Sequence, residues 1–414
     1  PNITYDPLRD VAPIGIVGAT TVRDYFMEAR VPLIQGATAA QDLSFDTAYR
    51  YSDYGDVNTN TYKFGLQWQP IEDVKFRGSY QRAVRAANIV ELFTAQGFNL
   101  FDLDGDPCGA QDPNPNATLA ECVATGVPAA NFRSTALDSP AGQYNFTQGG
   151  NPNLSPEESD TYTAGIILTP RFVPGLVLSV DWYNIEVTET IGVFGAQNTL
   201  DACYNNGDAA ACSRIRRNPA NGALWVGSGN VLDTNINIGS LETSGIDVNA
   251  TYSGLQLGAA GSLSFNLTGT YLSKLETFNG PGTTPFDCAS FFGNNCVSTA
   301  SGIPAPKWRH QFRISYQTPF DLDVALTWRY FDGVEAFETS QANIDYSFAS
   351  QSYIDLAGTY AFTDKIGMTL GVNNVFDRDP PLNSGVGTTG NGNTYPQTYD
   401  ALGRYIFVRA KVGF

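Results

Sequence analysis

The sequence predicts an all-β chain, an antiparallel transmembrane β-barrel with long loops on one side and short turns on the other. Three observations carry that expectation. Apolar residues recur at every second position in thirteen separate segments, the pattern of strands with one greasy face. The alternate positions are too charged for a packed core. The connections sort by length into two sets, as they do when one side of a barrel faces the cell exterior.

Composition agrees. The chain has 414 residues, with 24 Lys+Arg against 41 Asp+Glu, a net charge of −17. Such a balance excludes the basic face that nucleic-acid binding needs. Charged residues are only 16 %, yet mean hydropathy is −0.18, because Gly, Asn, Thr and Ser carry the polarity. Abundant Tyr (21) and Phe (25) with scarce Met (2) fit strands better than helices. No apolar run is long enough for a transmembrane helix. The opening Pro1, Asn2, Ile3, Thr4 and Tyr5 do not begin a signal peptide, so the expectation is a fragment or a processed chain.

The strands follow in order. Arg23–Leu33, Asp42–Asp53, Asn60–Gln69 and Val74–Val84 each alternate, with Tyr25, Phe45, Phe64 and Phe76 on the apolar face. After a polar insertion come Asp160–Thr169, Leu176–Glu186, Glu242–Tyr252 and Leu263–Leu275. Lys307–Gln317, Leu322–Asp332, Ser352–Phe362 and Ile366–Asn374 complete twelve. In the last strand Ile406, Val408, Ala410, Val412 and Phe414 alternate with Tyr405, Phe407, Arg409, Lys411 and Gly413. If that strand ends in the periplasm, one side receives the short turns Ile34–Gln41, Pro70–Asp73, Pro170–Gly175, Ser253–Ser262, Pro319–Asp321 and Thr363–Lys365. The other receives Arg85–Ser159, Thr190–Leu241, Glu276–Pro306, Gly333–Gln351 and Val375–Asp400. Only Ser52–Thr59 is a short outer loop.

Charge marks the membrane border. On the apolar face, no Asp, Glu, Lys or Arg appears until a strand is about eight to ten residues from its periplasmic end, close to the roughly 9–11 residues that span lipid. There Arg23, Asp53, Arg82, Asp160, Glu186, Glu242, Asp332 and Arg404 appear. Trp68, Tyr252, Tyr316 and Phe362 on one border, and Trp182, Trp308 and Tyr330 on the other, read as aromatic girdles. The opposite face carries Arg309, Arg313, Arg329, Arg409 and Lys411 among other polar residues, so it faces water or a polar protein surface.

The six cysteines form local pairs, Cys108/Cys122, Cys203/Cys212 and Cys288/Cys296, in the long loops 85–159, 190–241 and 276–306. One His and no C-x-x-C leave little room for zinc. The expectation is three loop-stapling disulfides in an oxidising compartment; the alternative is buried, unpaired thiols.

Chemistry is sparse, and no enzyme and no cofactor are expected. Gly385, Gly387 and Gly390 match G-x-G-x-x-G but lead into no helix. His310, the sole imidazole, sits on the apolar face without a nucleophile motif, and reads as an interfacial residue. Asp102, Asp104 and Asp106 could grip Ca²⁺ but lack the twelfth-position Glu of an EF-hand, so a solvated turn is the simpler reading. Arg214, Arg216 and Arg217 cluster beside Cys212 and could meet an anionic ligand or lipopolysaccharide phosphate. For ligand recognition the outer loops offer Phe98, Phe101, Tyr144, Phe146, Tyr204, Trp225, Phe291, Phe292, Phe337, Phe348 and Tyr395, aromatic platforms for sugars or flat chelates. The plainer reading is that half of them pack the loops.

Five stretches resemble TonB-dependent outer-membrane receptors. Residues Phe76–Phe93 (FRGSYQRAVRAANIVELF) are similar to that family's strand and "FRAPxxxELF" segment, and Gly150–Ser159 (GNPNLSPEES) to its "GNPxLxPE" signature. Leu178–Ile185, Glu242–Asp247 and Leu370–Asp377 (LGVNNVFD) follow in the family's order. The resemblance implies a plugged barrel of about 22 strands, of which this chain, residues 1–414, holds thirteen as the C-terminal portion, with plug and first strands preceding Pro1. It implies active import of a scarce nutrient such as an oligosaccharide or iron chelate. The partners it implies are the TonB–ExbB–ExbD energy-transducing complex, the protein's own plug domain, the barrel-assembly machinery reading Phe414, and outer-membrane lipid with lipopolysaccharide. A passive porin and an adhesive or structural barrel are the alternatives.

Overall fold

The computed structural model describes residues 16, 18–55, 57–113, 115–280, 283–293, 296, 302–337, 346–383 and 392–413. All thirteen expected strands form, and they pair in sequence order in one antiparallel sheet. We number them β1 (Arg23–Ala37), β2 (Ala40–Asp53), β3 (Asn58–Ile71), β4 (Val74–Arg85) and β5 (Glu157–Leu168). Then come β6 (Leu176–Gly192), β7 (Ile236–Gln256), β8 (Ser262–Phe278) and β9 (Trp308–Gln317). The last four are β10 (Leu322–Phe331), β11 (Gln351–Thr363), β12 (Ile366–Asn373) and β13 (Tyr405–Val412). Among the described residues β1 pairs only with β2 and β13 only with β12, so the sheet is a wall with two open edges.

Register separates the two faces. Val74, Leu168, Leu178, Ala250, Leu267, Phe312, Trp328 and Ile354 are successive cross-strand partners, an unbroken apolar row. Arg77, Gly165, Asp181, Asp247, Thr270 and Arg309 form an equivalent row on the other face. A soluble sandwich would cover the first row; here Phe64, Leu66, Leu326, Leu356, Leu370 and Val408 all stand exposed. Stacked neighbours such as Phe265 between Tyr252 and Phe312 knit that face laterally, as cross-strand aromatic pairs do.

The long strands overrun expectation. β6, β7 and β8 continue past Glu186, Glu242 and Leu275, because Val187–Gly192 and Ile236–Leu241 keep pairing above the membrane border. At that border Asp160, Glu186, Glu242 and Glu276 stand opposite one another on the apolar side. Arg82 holds Asp160, and a bulge in β8 turns Lys274 outward to bridge Glu242 at 2.7 Å and Glu276 at 3.0 Å. Buried cores lie in the loops: one built from 97–148 and 194–231, another from Phe292, Val334, Ala336, Phe348, Tyr353, Tyr395 and Tyr399.

Candidate functional site

The loop side is built from three polar junctions. At the lip of β4 and β5, Arg85 makes paired bonds to Glu157 (2.6 and 2.7 Å) and to Glu91 (3.0 and 3.1 Å). Glu91 also closes a capping box with Asn88 on the short helix Ile89–Phe93, the device that satisfies orphan N–H groups at a helix start. The turn Gly149–Asn151 lies on that helix: Asn151 N donates to Glu91 O and Gly150 N to Thr94 O, each at 2.9 Å. A Cβ on Gly150 would stand 2.6 Å from Leu92 O. Glu157 lies where burial pushes its carboxyl up, yet Arg85 and the Ile191 N–H outweigh burial and hold it below its ordinary value.

The second junction ties loop 85–159 to loop 190–241. Arg217 donates to both oxygens of Asp106 (2.7 and 2.9 Å), to Tyr204 Oη (2.9 Å) and to Gly222 O (2.9 Å). Burial opposes that charge, but Asp106 and Tyr204 outweigh it and keep the guanidinium charged. Disulfides Cys108–Cys122 and Cys203–Cys212 staple the same module, and Cys288–Cys296 staples the next loop. The helix Ala196–Asn206 points Gln197, Asp201 and Asn205 into a polar cleft of about 510 Å³, whose far wall is Asp102–Gly105 with Asp112, Pro113, Asn116 and Ala117.

The third junction is at Arg329 on β10. Its guanidinium grips Asp355 (2.7 and 3.0 Å) and Asp400 (2.9 and 2.6 Å), and lies 5.1 Å from the Tyr353 ring. Below the loops the polar face is largely charge-matched in β1 to β6. Arg77 meets Asp181 at 2.5 Å, Lys63 meets Asp46 at 3.7 Å and Arg50 meets Asp24 at 3.6 Å. A hollow of about 810 Å³ lies over Arg77, Asp181, Asp247 and Asn249. Gly65 and Gly165 leave room there for the Asp46 and Asp181 side chains.

Sequence reading and structure part at several residues. Arg309, Arg313, Arg409 and Lys411 do lie exposed on the polar face, without a carboxylate partner among the described residues. Arg329 lies there too, but both edges of its guanidinium are engaged. Tyr144, Tyr204, Phe292, Phe348 and Tyr395 are at most 5 % exposed; they are corrected from ligand platforms to packing residues, because the loops fold into cores. Burial pushes the Tyr144 and Tyr395 hydroxyls up to about 12. Phe101, Phe146 and Trp225 pack against the first core, and Phe291 stands edge-on to Phe337. Phe98 alone of the set is broadly open, at 63 %.

The arginine cluster beside Cys212 does not assemble: Arg217 is buried, Arg214 donates to Thr234 O, and Arg216 is exposed. Asp106 is consumed by Arg217, so the Ca²⁺ triad with Asp102 and Asp104 does not converge; among the described residues no group of three such ligands does. His310 accepts from Trp308 Nε1 at 2.9 Å and lies against the Trp328 and Tyr330 rings, as an interfacial residue would. Phe414 and the glycines 385, 387 and 390 lie outside the described residues. Arg85, Glu91, Glu157 and Asp400 went unsingled in sequence, whereas Asp355 was legible as part of the polar wall; the first three sat inside the motifs, where the only signal was their charge.

A bare apolar face, a charged inner face and folded outer loops define the wall of an outer-membrane-type β-barrel. The family model for the TonB dependent receptor-like β-barrel matches residues 2–375, and the chain belongs to that family. Its members are transport receptors of the outer membrane that work with TonB. No curated protein sequence matches the chain. Among solved structures, a mutant of the ferric enterobactin receptor PfeA from Pseudomonas aeruginosa matches at 15 % identity and a TM-score of 0.59, over 95 % of this chain and 45 % of that one. The siderophore receptor PirA from Acinetobacter baumannii matches at 14 % identity and 0.56, over 95 % and 46 %. These likenesses concern the fold, and the chain spans under half the length of those receptors.

Proposed function

We propose that the full-length protein imports a scarce nutrient across the bacterial outer membrane, driven through TonB. The observation that carries this is the pairing of a charged inner wall with pre-folded, disulfide-stapled outer loops. A passive pore needs only the wall; loops with their own cores offer a shaped surface for capture. Iron chelates, which the names of PfeA and PirA indicate for those receptors, head the substrate classes, with oligosaccharides next. Phe98 and the cleft beside Asp201 and Asn205 are the contact candidates, and Arg309, Arg313, Arg409 and Lys411 face the plug. The energy-transducing partner is TonB–ExbB–ExbD, and Phe414 is the signal for the assembly machinery. The test is accumulation of labelled ferric siderophores and oligosaccharides in cells carrying the full-length gene. Uptake that stops when tonB is deleted supports import; uptake indifferent to tonB marks a passive pore.

A further inference from the structure

The turn segment 395–403, which leads into β13, is bonded chiefly to itself. Thr398 N and Tyr399 N donate to Tyr395 O at 3.0 and 2.9 Å, and Ala401 N donates to Tyr399 O at 2.9 Å. Two of its attachments to the rest of the molecule bear on its docking. Rings of Tyr395 and Tyr399 pack on Phe348 at 6.1 and 6.3 Å, and Tyr399 on Phe331 at 6.1 Å. The Asp400 carboxylate is clamped by Arg329, whose other edge is fixed to the wall through Asp355. Asp355 in turn accepts from Asn374 N at 2.8 Å, at the root of the same loop.

One feature opposes this docking. Tyr399 is 2 % exposed, and its hydroxyl has no hydrogen-bond partner among the described residues. A buried, unpaired hydroxyl forfeits its hydration without return, whereas a bidentate charge-assisted pair is among the stronger polar contacts. The docked segment therefore balances a strong clamp against a standing penalty. Undocking would hydrate Tyr399. The pivot is at hand: Gly403 has φ +68°, and Arg404 N donates to Asp377 Oδ1 at 2.7 Å, closing the loop base independently of Arg329.

We propose that segment 395–403 is a two-state strap, held shut on the barrel wall by Arg329–Asp400 and biased toward release by the unpartnered Tyr399 hydroxyl. In the importer reading, on which only its biological use rests, the strap regulates access from the second loop core to the inner wall. The two residues push in opposite directions, which a merely structural contact would not do.

The test is hydrogen–deuterium exchange of peptides spanning 392–404 in the full-length protein in detergent micelles, which requires no ligand and no transport. Asp400→Asn keeps the shape and removes the charge; exchange should quicken about tenfold or more. Tyr399→Phe removes only the stranded hydroxyl; exchange should slow by about fivefold or more. Peptides from Trp308–Gln317 report barrel integrity and should not change. Opposite signs in the two variants establish the strap, even if uptake proves independent of TonB. Unchanged exchange in Asp400→Asn, or unchanged or faster exchange in Tyr399→Phe, overturns it.

Discussion

Arg217 and Asp106, 111 residues apart in sequence, meet as a bidentate ion pair with both side chains wholly removed from solvent. The pair joins two loops that the barrel holds only at their roots. Removing charge from water is costly, and such a pair persists only where geometry and extra hydrogen bonds compensate; Tyr204, Gly222 and Thr125 supply them here. The two longest loops therefore fold as one body.

Replacing Asp106 by Ala would leave the guanidinium buried without its partner, and should destabilise the loop module by about 3–5 kcal/mol. The double change Asp106→Leu with Arg217→Met should cost much less. Hydrogen exchange across Ala196–Asn206, with barrel peptides as reference, measures both. Equal losses in single and double variants would contradict the account.

Acid should loosen the lip. The Glu157 carboxyl is held below its ordinary value of 4.5, so its bond to Arg85 contributes fully above that pH and is lost as pH falls through the lowered value. Protease sensitivity of segment 86–96 should rise as pH drops below 4.5 and through that lowered value. Glu157→Gln should be sensitive already at neutral pH and should flatten that dependence.

Gly150→Ala should break the same junction. Its new Cβ meets backbone rather than a flexible side chain, so the turn must move, at a cost of about 1–3 kcal/mol. The expected sign is faster exchange of the amides of residues 150 and 151, which donate to Thr94 O and Glu91 O, with the sheet unaltered.

Reduction should act locally. Opening Cys108–Cys122, which closes a 14-residue separation, should remove about 3 kcal/mol from the first loop module. In the full-length protein, heat-resistant mobility on gels, a property of a closed barrel, should survive dithiothreitol while loop proteolysis rises.

The wall was legible in the sequence because period-2 alternation is local: Phe312 and Arg313 declare their faces by position alone. Loop lengths and the charge border at Asp160 and Glu242 are local for the same reason. The loop interiors were not legible. Tyr144 and Phe98 look alike in sequence, yet one is buried and the other open, because burial depends on partners such as Leu224 and Val231 some eighty residues away. Likewise nothing near Arg329 in the chain announces Asp400; the pairing is created by the return of the last loop to the wall.

Every functional reading depends on which face meets lipid, and neighbouring residues of β9 test that directly. In the full-length protein in intact cells, with its native disulfides as the only other cysteines, Phe312→Cys and Arg313→Cys would be challenged with a membrane-impermeant maleimide and with a lipid-soluble one. The account predicts that position 313 reacts with the water-soluble reagent, at least in plug-loosened variants, and that position 312 reacts only with the lipid-soluble one. The reverse pattern, or equal reaction of both positions with the water-soluble reagent, would contradict it.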